Sequence, residues 1–249
     1  MSAVPVEVWG SGERVVLVHG SLATGPAEWA AQRPLADHGY ELVIPTRRAY
    51  AGEPGAVGED FLTDGDDVAA LLGDGAHLVG HSYGGLVAMV AAARRPHAVR
   101  TLVLAEPPAF DAASTHPAVR RLRRDIEQAL ESAGDDREFL DGFLELVGSP
   151  VDEIPADVMR DLTALVPALR RARQPWSGAI PVDEVRDAAF PTVVVSGDHH
   201  EAFTAMCDGL ARDLGADLRT VTGAGHEIQL AAADFNALLL ALWRSTAPR

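Results

Sequence analysis

Short apolar runs alternate with longer segments of helical period along most of the chain. "RVVLVHG", "YELVIP", "AHLVG", "RTLVLAE", "PTVVVSG" and "DLRTVTG" are brief, aliphatic and closed by Gly, Pro or polar residues, the pattern of strands. A further short strand is expected ahead of "VVLVHG". Between these runs lie "GDDVAALLG", "YGGLVAMVAAARR", "AFTAMCDGLARDLG" and "EIQLAAADFNALLLALWRS", whose apolar positions recur with helical spacing. Pro96 stops the second of them, as a residue that cannot continue a helix should. The alternation predicts an α/β fold with a mostly parallel central sheet flanked by helices.

The alternation breaks once. From Pro107 to Ala189 the helical segments "AVRRLRRDIEQALESAG", "REFLDGFLELVG" and "ADVMRDLTALVPALRRA" follow one another without a strand, with Pro150, Pro155, Pro167 and Pro175 separating or bending them. Residues 1–106 and 190–249 are therefore expected to form the core, and 107–189 a helical cap inserted into the same domain. Leu140, Phe143, Leu144 and Val147 share one helical face and should pack the cap together, while "RRLRR" reads as a solvated face.

Composition narrows the partners. The 249 residues carry 36 acidic and 21 basic side chains, a formal charge of −15, which disfavours a general nucleic-acid or anionic-membrane partner through long-range repulsion. A small-molecule substrate is the expectation that remains. No stretch approaches the length of uninterrupted apolar residues needed to span a bilayer, and the start of the sequence lacks the basic and apolar regions of a secretory signal. The single Cys207 lies in an amphipathic helical pattern and excludes an intramolecular disulfide. These features predict a cytoplasmic protein, with Cys207 as a packed thiol.

The densest chemistry lies in "LVGHSYGGLVAM". A strand ends, Ser82 occupies the turn, and a helix begins near Tyr83, with Gly80 and Gly84 bracketing the serine as G-x-S-x-G. Small neighbours are required because a sharp strand-to-helix turn brings the flanking residues together. Such a turn presents the hydroxyl outward and aims the first N–H groups of the helix at developing negative charge. His226, in "VTGAGHEIQL", follows the last predicted strand and should project at the carboxyl end of the sheet, the edge where parallel α/β sheets place their sites. A serine hydroxyl needs such a base within reach, and the base needs a carboxylate to fix its tautomer. His19 and His81, each beside a residue whose backbone must turn sharply, are read as shaping the floor of the site.

On these residues the chain resembles the α/β-hydrolase family over nearly its whole length. "HGS" at His19–Ser21 is similar to the family's oxyanion loop, so the resemblance implies an oxyanion hole built from the backbone N–H groups of Ser21 and Tyr83. "PTRRAYAGE" resembles the arginine- and glycine-containing loop after the next strand. The late His loop and the position of the cap also match. The order serine, acid, histidine is the family's. No cofactor is implied.

Which residue is the acid stays open. The family's G-x-x-D spacing after "PTVVVSG", counted from Gly197, lands on His200, with Asp198 two residues early and Glu201 one late. Glu106 closes the strand "TLVLAE", where some members of the family carry the acid. As a carboxylate at the end of an apolar strand it would need a cationic or hydrogen-bonding partner. Glu106 is preferred over Asp198, and Glu201 comes third. His199, His200 and Glu201 could be taken for metal ligands, but adjacent side chains on an extended turn diverge and the spacing matches no metal motif. No metal site is expected. Trp176, in "RQPWSGAIP", and Tyr83 are candidates for substrate contact, although a lone Trp more often packs.

The expected activity is hydrolysis of an ester, thioester or lactone of a small, partly apolar molecule through an acyl-enzyme. The same serine and histidine could instead serve a lyase, a cyclase or a carbon–carbon bond hydrolase. A non-catalytic receptor on this scaffold would have no use for a strained nucleophile turn.

Overall fold

Seven strands form one sheet, in the computed structural model, which describes residues 4–53, 55–132 and 134–246. The first three residues, at the start read above for a secretory signal, lie outside this range, as does Ala133 of the first predicted cap helix. The strands are β1 (Val6–Gly10), β2 (Glu13–Val18), β3 (Tyr40–Pro45), β4 (Ala76–His81), β5 (Val99–Ala105), β6 (Thr192–Ser196) and β7 (Asp217–Thr220). Their order across the sheet is β1-β3-β2-β4-β5-β6-β7. Only β1 runs antiparallel to its neighbour, and every other pair is parallel.

Both faces of the sheet are covered, which explains why the central strands read as continuous apolar runs. Successive residues point to opposite sides. Val16, Val18, Leu78, Leu102, Leu104 and Val194 meet α2 (Phe61–Leu71), α3 (Tyr83–Arg94) and α8 (Glu201–Leu214). Val15, Leu17, Val79, Val103, Val193 and Val195 meet Trp29, Leu35 and the α9 residues (Ala232–Ser245) Phe235, Leu239 and Trp243. The mostly parallel α/β sheet expected from the alternation is the observed one.

Boundaries differ where local chemistry overrides periodicity. Helix α2 begins four residues before the predicted segment because Asp60 caps it, accepting from the N–H groups of Leu62 and Thr63. The last predicted helix is broken: Ile228–Leu230 form a 3₁₀ turn before α9 starts. There the Gln32 amide takes the Gln229 carbonyl at 2.9 Å, holding that segment inward. The segment Gly25–His38, with its short α1 (Gly25–Glu28) and a 3₁₀ stretch, carried no periodic signal.

Between β5 and β6 lie α4 (Pro117–Ser132), α5 (Asp136–Leu146), α6 (Ala156–Arg170) and the short α7 (Val182–Asp187). Leu140 and Leu144 pack with Met159, Val166 and Leu169, and this cluster reaches Leu22 in the loop after β2. Val119, Leu122 and Ile126 of α4 pack instead on Phe203 and Met206 of α8. Arg120, Arg121, Arg123 and Arg124 of "RRLRR" are exposed around the buried Leu122. Cys207 is buried in α8; burial pushes its thiol pKa well up, as suits a packed residue.

Candidate active site

The carboxyl ends of β4, β5 and β6 lie side by side, so the residues that follow them share one edge of the sheet. Ser82 N donates to the Ala105 carbonyl at 2.8 Å, and Glu106 N donates to that of Val195 at 2.9 Å, extending the ladder one step beyond each strand. Leu22, Ser82, Glu106 and Asp198 have φ between 50° and 59° or, for Glu106, 49°. L-residues visit this region rarely and at a cost. Four such residues around one edge mark it as the strained part of the molecule.

The glycines of the nucleophile turn are there for space. A Cβ on Gly80 would run into the Gly84 carbonyl, and one on Gly84 into the carbonyls of Val18 and His19. With both absent, Ser82 sits at the start of α3 with φ 50° and ψ −127°. Its Oγ lies 3.0 Å from His226 Nε2. The loop carrying His226 closes against the loop after β6 so tightly that a Cβ on Gly197 would meet the Gly225 carbonyl.

Glu106 completes the row. Its side chain is fully buried. Oε1 accepts the Gly197 N–H at 2.7 Å, while Oε2 lies 3.4 Å from His226 Nδ1. Burial alone would raise the Glu106 pKa. The hydrogen bond and charge of His226, the Gly197 N–H and the nearby His199 outweigh it and hold the carboxyl below its ordinary value. Asp198 is exposed, with its N–H on Ser196 Oγ at 3.3 Å and no side-chain hydrogen bond to His226. Glu201 is exposed in the first turn of α8. Neither carboxylate makes a hydrogen bond or ion pair with His226, whose Nδ1 faces Glu106. His200 caps α8, its Nδ1 accepting from Ala202 N at 3.2 Å.

A second cluster holds the loop after β2. Arg47 is buried, with Nη2 donating to the Gly20 carbonyl at 2.6 Å and to Glu59 at 2.9 Å, Nε to the His19 carbonyl at 3.0 Å, and Nη1 to Asp64 at 3.1 Å. Ser21 Oγ donates to Glu59 Oε2 at 2.8 Å, and the Leu22 N–H to the Tyr50 hydroxyl at 2.8 Å. These contacts fix the backbone from Gly20 to Leu22, and Gly20 lies beside Ser82: a Cβ on it would stand 3.1 Å from Ser82 Cβ. His19 Nε2 accepts the Arg47 N–H at 2.9 Å, and Nδ1 donates to the Gly20 carbonyl at 2.8 Å. Burial and the Arg47 charge push its pKa well down, so the ring is neutral.

His81 does the opposite job. Nε2 donates to the His226 carbonyl at 2.9 Å, and Nδ1 faces Glu28 Oε1 at 3.2 Å. Glu28 in turn accepts the Gly20 N–H on both oxygens, at 3.0 and 2.9 Å. Burial would lower the His81 pKa, but the facing Glu28 charge and hydrogen bond, helped by Glu227, raise it to about 9. Glu28, Arg47 and Glu59 were not singled out by sequence, although "PTRRAYAGE" marked the loop that holds the arginine.

Two side chains expected to meet substrate are otherwise engaged. Tyr83 is 3% exposed; its hydroxyl donates to the Arg173 carbonyl at 2.8 Å and accepts the Phe61 N–H at 3.2 Å. Its backbone N–H, at the first position of α3, remains a candidate oxyanion donor. Trp176 packs edge-on against Phe110 at 4.8 Å, with the Arg123 guanidinium 5.2 Å from its ring. Its ring is half-buried.

Comparison with known proteins bears on the fold and the family. The chain is 30% identical over 148 residues to a pimeloyl-[acyl-carrier protein] methyl ester esterase from Aeromonas salmonicida, a match covering 58% of this chain and 57% of that relative. The chain thus spans little more than half the length of the curated relatives it matches first. A thermophilic esterase from Thermogutta terrifontis superposes with a TM-score of 0.72 at 21% identity, over 98% of this chain and 94% of that one. MenH from S. aureus superposes with the same score at 18% identity over the whole of both chains. Residues 15–238, from within β2 to within α9, match the sequence model of the alpha/beta hydrolase family, and the chain belongs to that family.

Proposed function

We propose that the protein is a serine hydrolase acting on the ester, thioester or lactone of a small, partly apolar molecule. The observation that carries this reading is the continuous line from Ser82 Oγ through both nitrogens of His226 to Glu106, at 3.0 and 3.4 Å. In the proposed cycle Ser82 attacks the carbonyl carbon while His226 Nε2 takes its proton. Glu106 holds the Nδ1–H and stabilises the imidazolium. The 3.4 Å separation is that of a resting site, where such bonds are commonly longer than in the reacting complex. The backbone N–H groups of Ser21 and Tyr83 receive the developing oxyanion. Collapse of the tetrahedral intermediate expels the alcohol or thiol with the proton from His226, leaving Ser82 acylated. Water, deprotonated by His226, then releases the acid. The name of the Aeromonas salmonicida relative, a methyl ester esterase, supports the ester class.

Ser82→Ala, Glu106→Gln and Asp198→Asn, assayed on a panel of acyl esters and labelled with a fluorophosphonate, test the reading. Ser82→Ala should lose labelling and turnover. Glu106→Gln should lose on the order of 10⁴ in kcat, and Asp198→Asn should stay near the parent rate. Full turnover by Ser82→Ala would reject the serine mechanism; a nearly active Glu106→Gln would remove Glu106 from it.

A further inference from the structure

His199 is the unexplained group at this site. Its side chain is 10% exposed and its Nε2 lies 3.0 Å from the Val147 carbonyl. A carbonyl can only accept, so Nε2 carries the proton and a neutral ring has its lone pair on Nδ1. That nitrogen is buried without a hydrogen-bond partner. It points at Glu106 Oε2 from 3.6 Å; with a neutral ring this is an acceptor facing an acceptor, and with a protonated one an ion pair. His226 Nδ1 approaches the same oxygen from 3.4 Å, and the three atoms lie within 4.8 Å of one another. Two imidazole nitrogens and a carboxylate oxygen converge on one small space.

We propose that Glu106 Oε2, His199 Nδ1 and His226 Nδ1 form a binding site for a divalent transition-metal ion of the zinc class, and that its occupancy switches the enzyme off. The donor set is the one zinc favours: nitrogen and carboxylate ligands, three from the protein with a fourth position left open. It is a poor set for magnesium or calcium, which prefer oxygen. Ligands of a metal site are normally oriented by a second layer of partners, and each of these has one. Val147 holds His199 through the far nitrogen, the Gly197 N–H holds Glu106 through its other oxygen, and Ser82 faces the far nitrogen of His226.

The ion would inhibit, and the proton count says why. To act as a base toward Ser82, His226 must carry its hydrogen on Nδ1, facing Glu106, and its lone pair on Nε2. To bind a metal through Nδ1, the ring gives up that hydrogen and takes one on Nε2, with no net change in protons and no change in metal oxidation state. Nε2–H then donates to Ser82 Oγ and cannot accept its proton. Glu106 is drawn to the metal at the same moment, so the nucleophile loses its base and the base loses its carboxylate. The inhibitory effect rests on the serine-hydrolase reading, whereas the binding site does not.

Binding is therefore tested apart from catalysis. Ser82→Ala keeps all three ligands; after dialysis against a chelator it should take up one zinc ion per chain by calorimetry and metal analysis, and no magnesium. Adding His199→Gln, or His199→Asn as a second variant, with circular dichroism confirming the fold, should weaken zinc binding by about 10-fold or more. In the otherwise unaltered protein, zinc should abolish ester turnover, a chelator should restore it, and His199→Gln should raise the inhibitory zinc concentration by a similar factor. No zinc uptake by Ser82→Ala, or uptake that both His199 variants leave unchanged, would overturn the site. Zinc uptake without zinc inhibition in a turning-over enzyme would overturn the switch. Absence of ester turnover in the metal-free protein would instead count against the hydrolase reading.

Discussion

A single imidazolium ties three loops of the active site together. His81 sits between Gly80 and Ser82, and both of its ring nitrogens face acceptors: the His226 carbonyl and the Glu28 carboxylate. Glu28 also grips the Gly20 N–H, so the loop after β2, the turn at Ser82 and the loop of His226 meet on one buried ion pair. The pKa of His81 is raised from 6.5 to about 9. A raised folded-state value means that the pair's contribution is fully present below pH 6.5 and is lost as pH rises through about 9. Turnover should accordingly fall on the alkaline side near pH 9 through kcat more than through KM, since the pair places groups that act in the transition state. Glu28→Gln removes the charge that raises His81 and should move this limb on the order of one pH unit downward. His81→Ala leaves the Glu28 carboxylate buried without its partner, at a cost of ~3–5 kcal/mol in stability. A kcat–pH profile unmoved by Glu28→Gln would show that His81 does not set the limb.

At the scale of elements, what could be read from sequence is what local pattern controls. "YELVIP" coincides with β3 residue for residue, because a buried strand closed by Gly39 and Pro45 has its ends written in its own composition. The serine turn was legible for the same reason: its glycines serve contacts made within a few residues of Ser82. Glu106 was harder, because its partner Gly197 is 91 residues away, and counting along the loop after β6 leads to His200. What the count misses is that a carboxylate at the end of the neighbouring strand comes within 3.4 Å of His226 Nδ1. The approach of His199 to that carboxylate was illegible on the same ground, and so was Glu28, on a segment without periodicity. Local crowding also predicts which glycines can change. A Cβ at Gly84 meets backbone carbonyls, whereas one at Gly142, inside α5, meets nothing within 4 Å. Gly84→Ala should cost more than about 2 kcal/mol, and Gly142→Ala should gain about 0.5–1 kcal/mol. Urea midpoints for the two variants that shifted in the same direction would contradict this account.

Over the whole molecule, the helices between β5 and β6 pack on the loop after β2 and on α8, and the segment at Arg173 adds a hydrogen-bonded joint beside Ser82. The Arg173 N–H donates to the Glu59 carbonyl at 2.7 Å, and its carbonyl accepts from the Tyr83 hydroxyl at 2.8 Å. The Arg173 guanidinium makes two bonds to Asp60, at 2.9 and 3.1 Å. Tyr83 thus has its backbone at the nucleophile and its hydroxyl on the overlying segment, so loosening one end is felt at the other. The Asp60–Arg173 pair is about a third exposed, and pairs of that kind contribute ~0.2–1 kcal/mol. The tyrosine hydroxyl is buried, and Tyr83→Phe leaves both the Phe61 N–H and the Arg173 carbonyl without a partner, a penalty of ~1–3 kcal/mol. If residues 107–189 are a cap able to open apart from the core, that penalty falls on local opening and not on global unfolding. Amide exchange in α5 and α6 of Tyr83→Phe should then quicken by about 5- to 150-fold, as that penalty implies. Amides of β4 and β5 should exchange at the parent rate, and Arg173→Ala should show the smaller effect of the two. Equal acceleration in strands and helices would mean that the helices and the sheet open as one unit, with no separate cap.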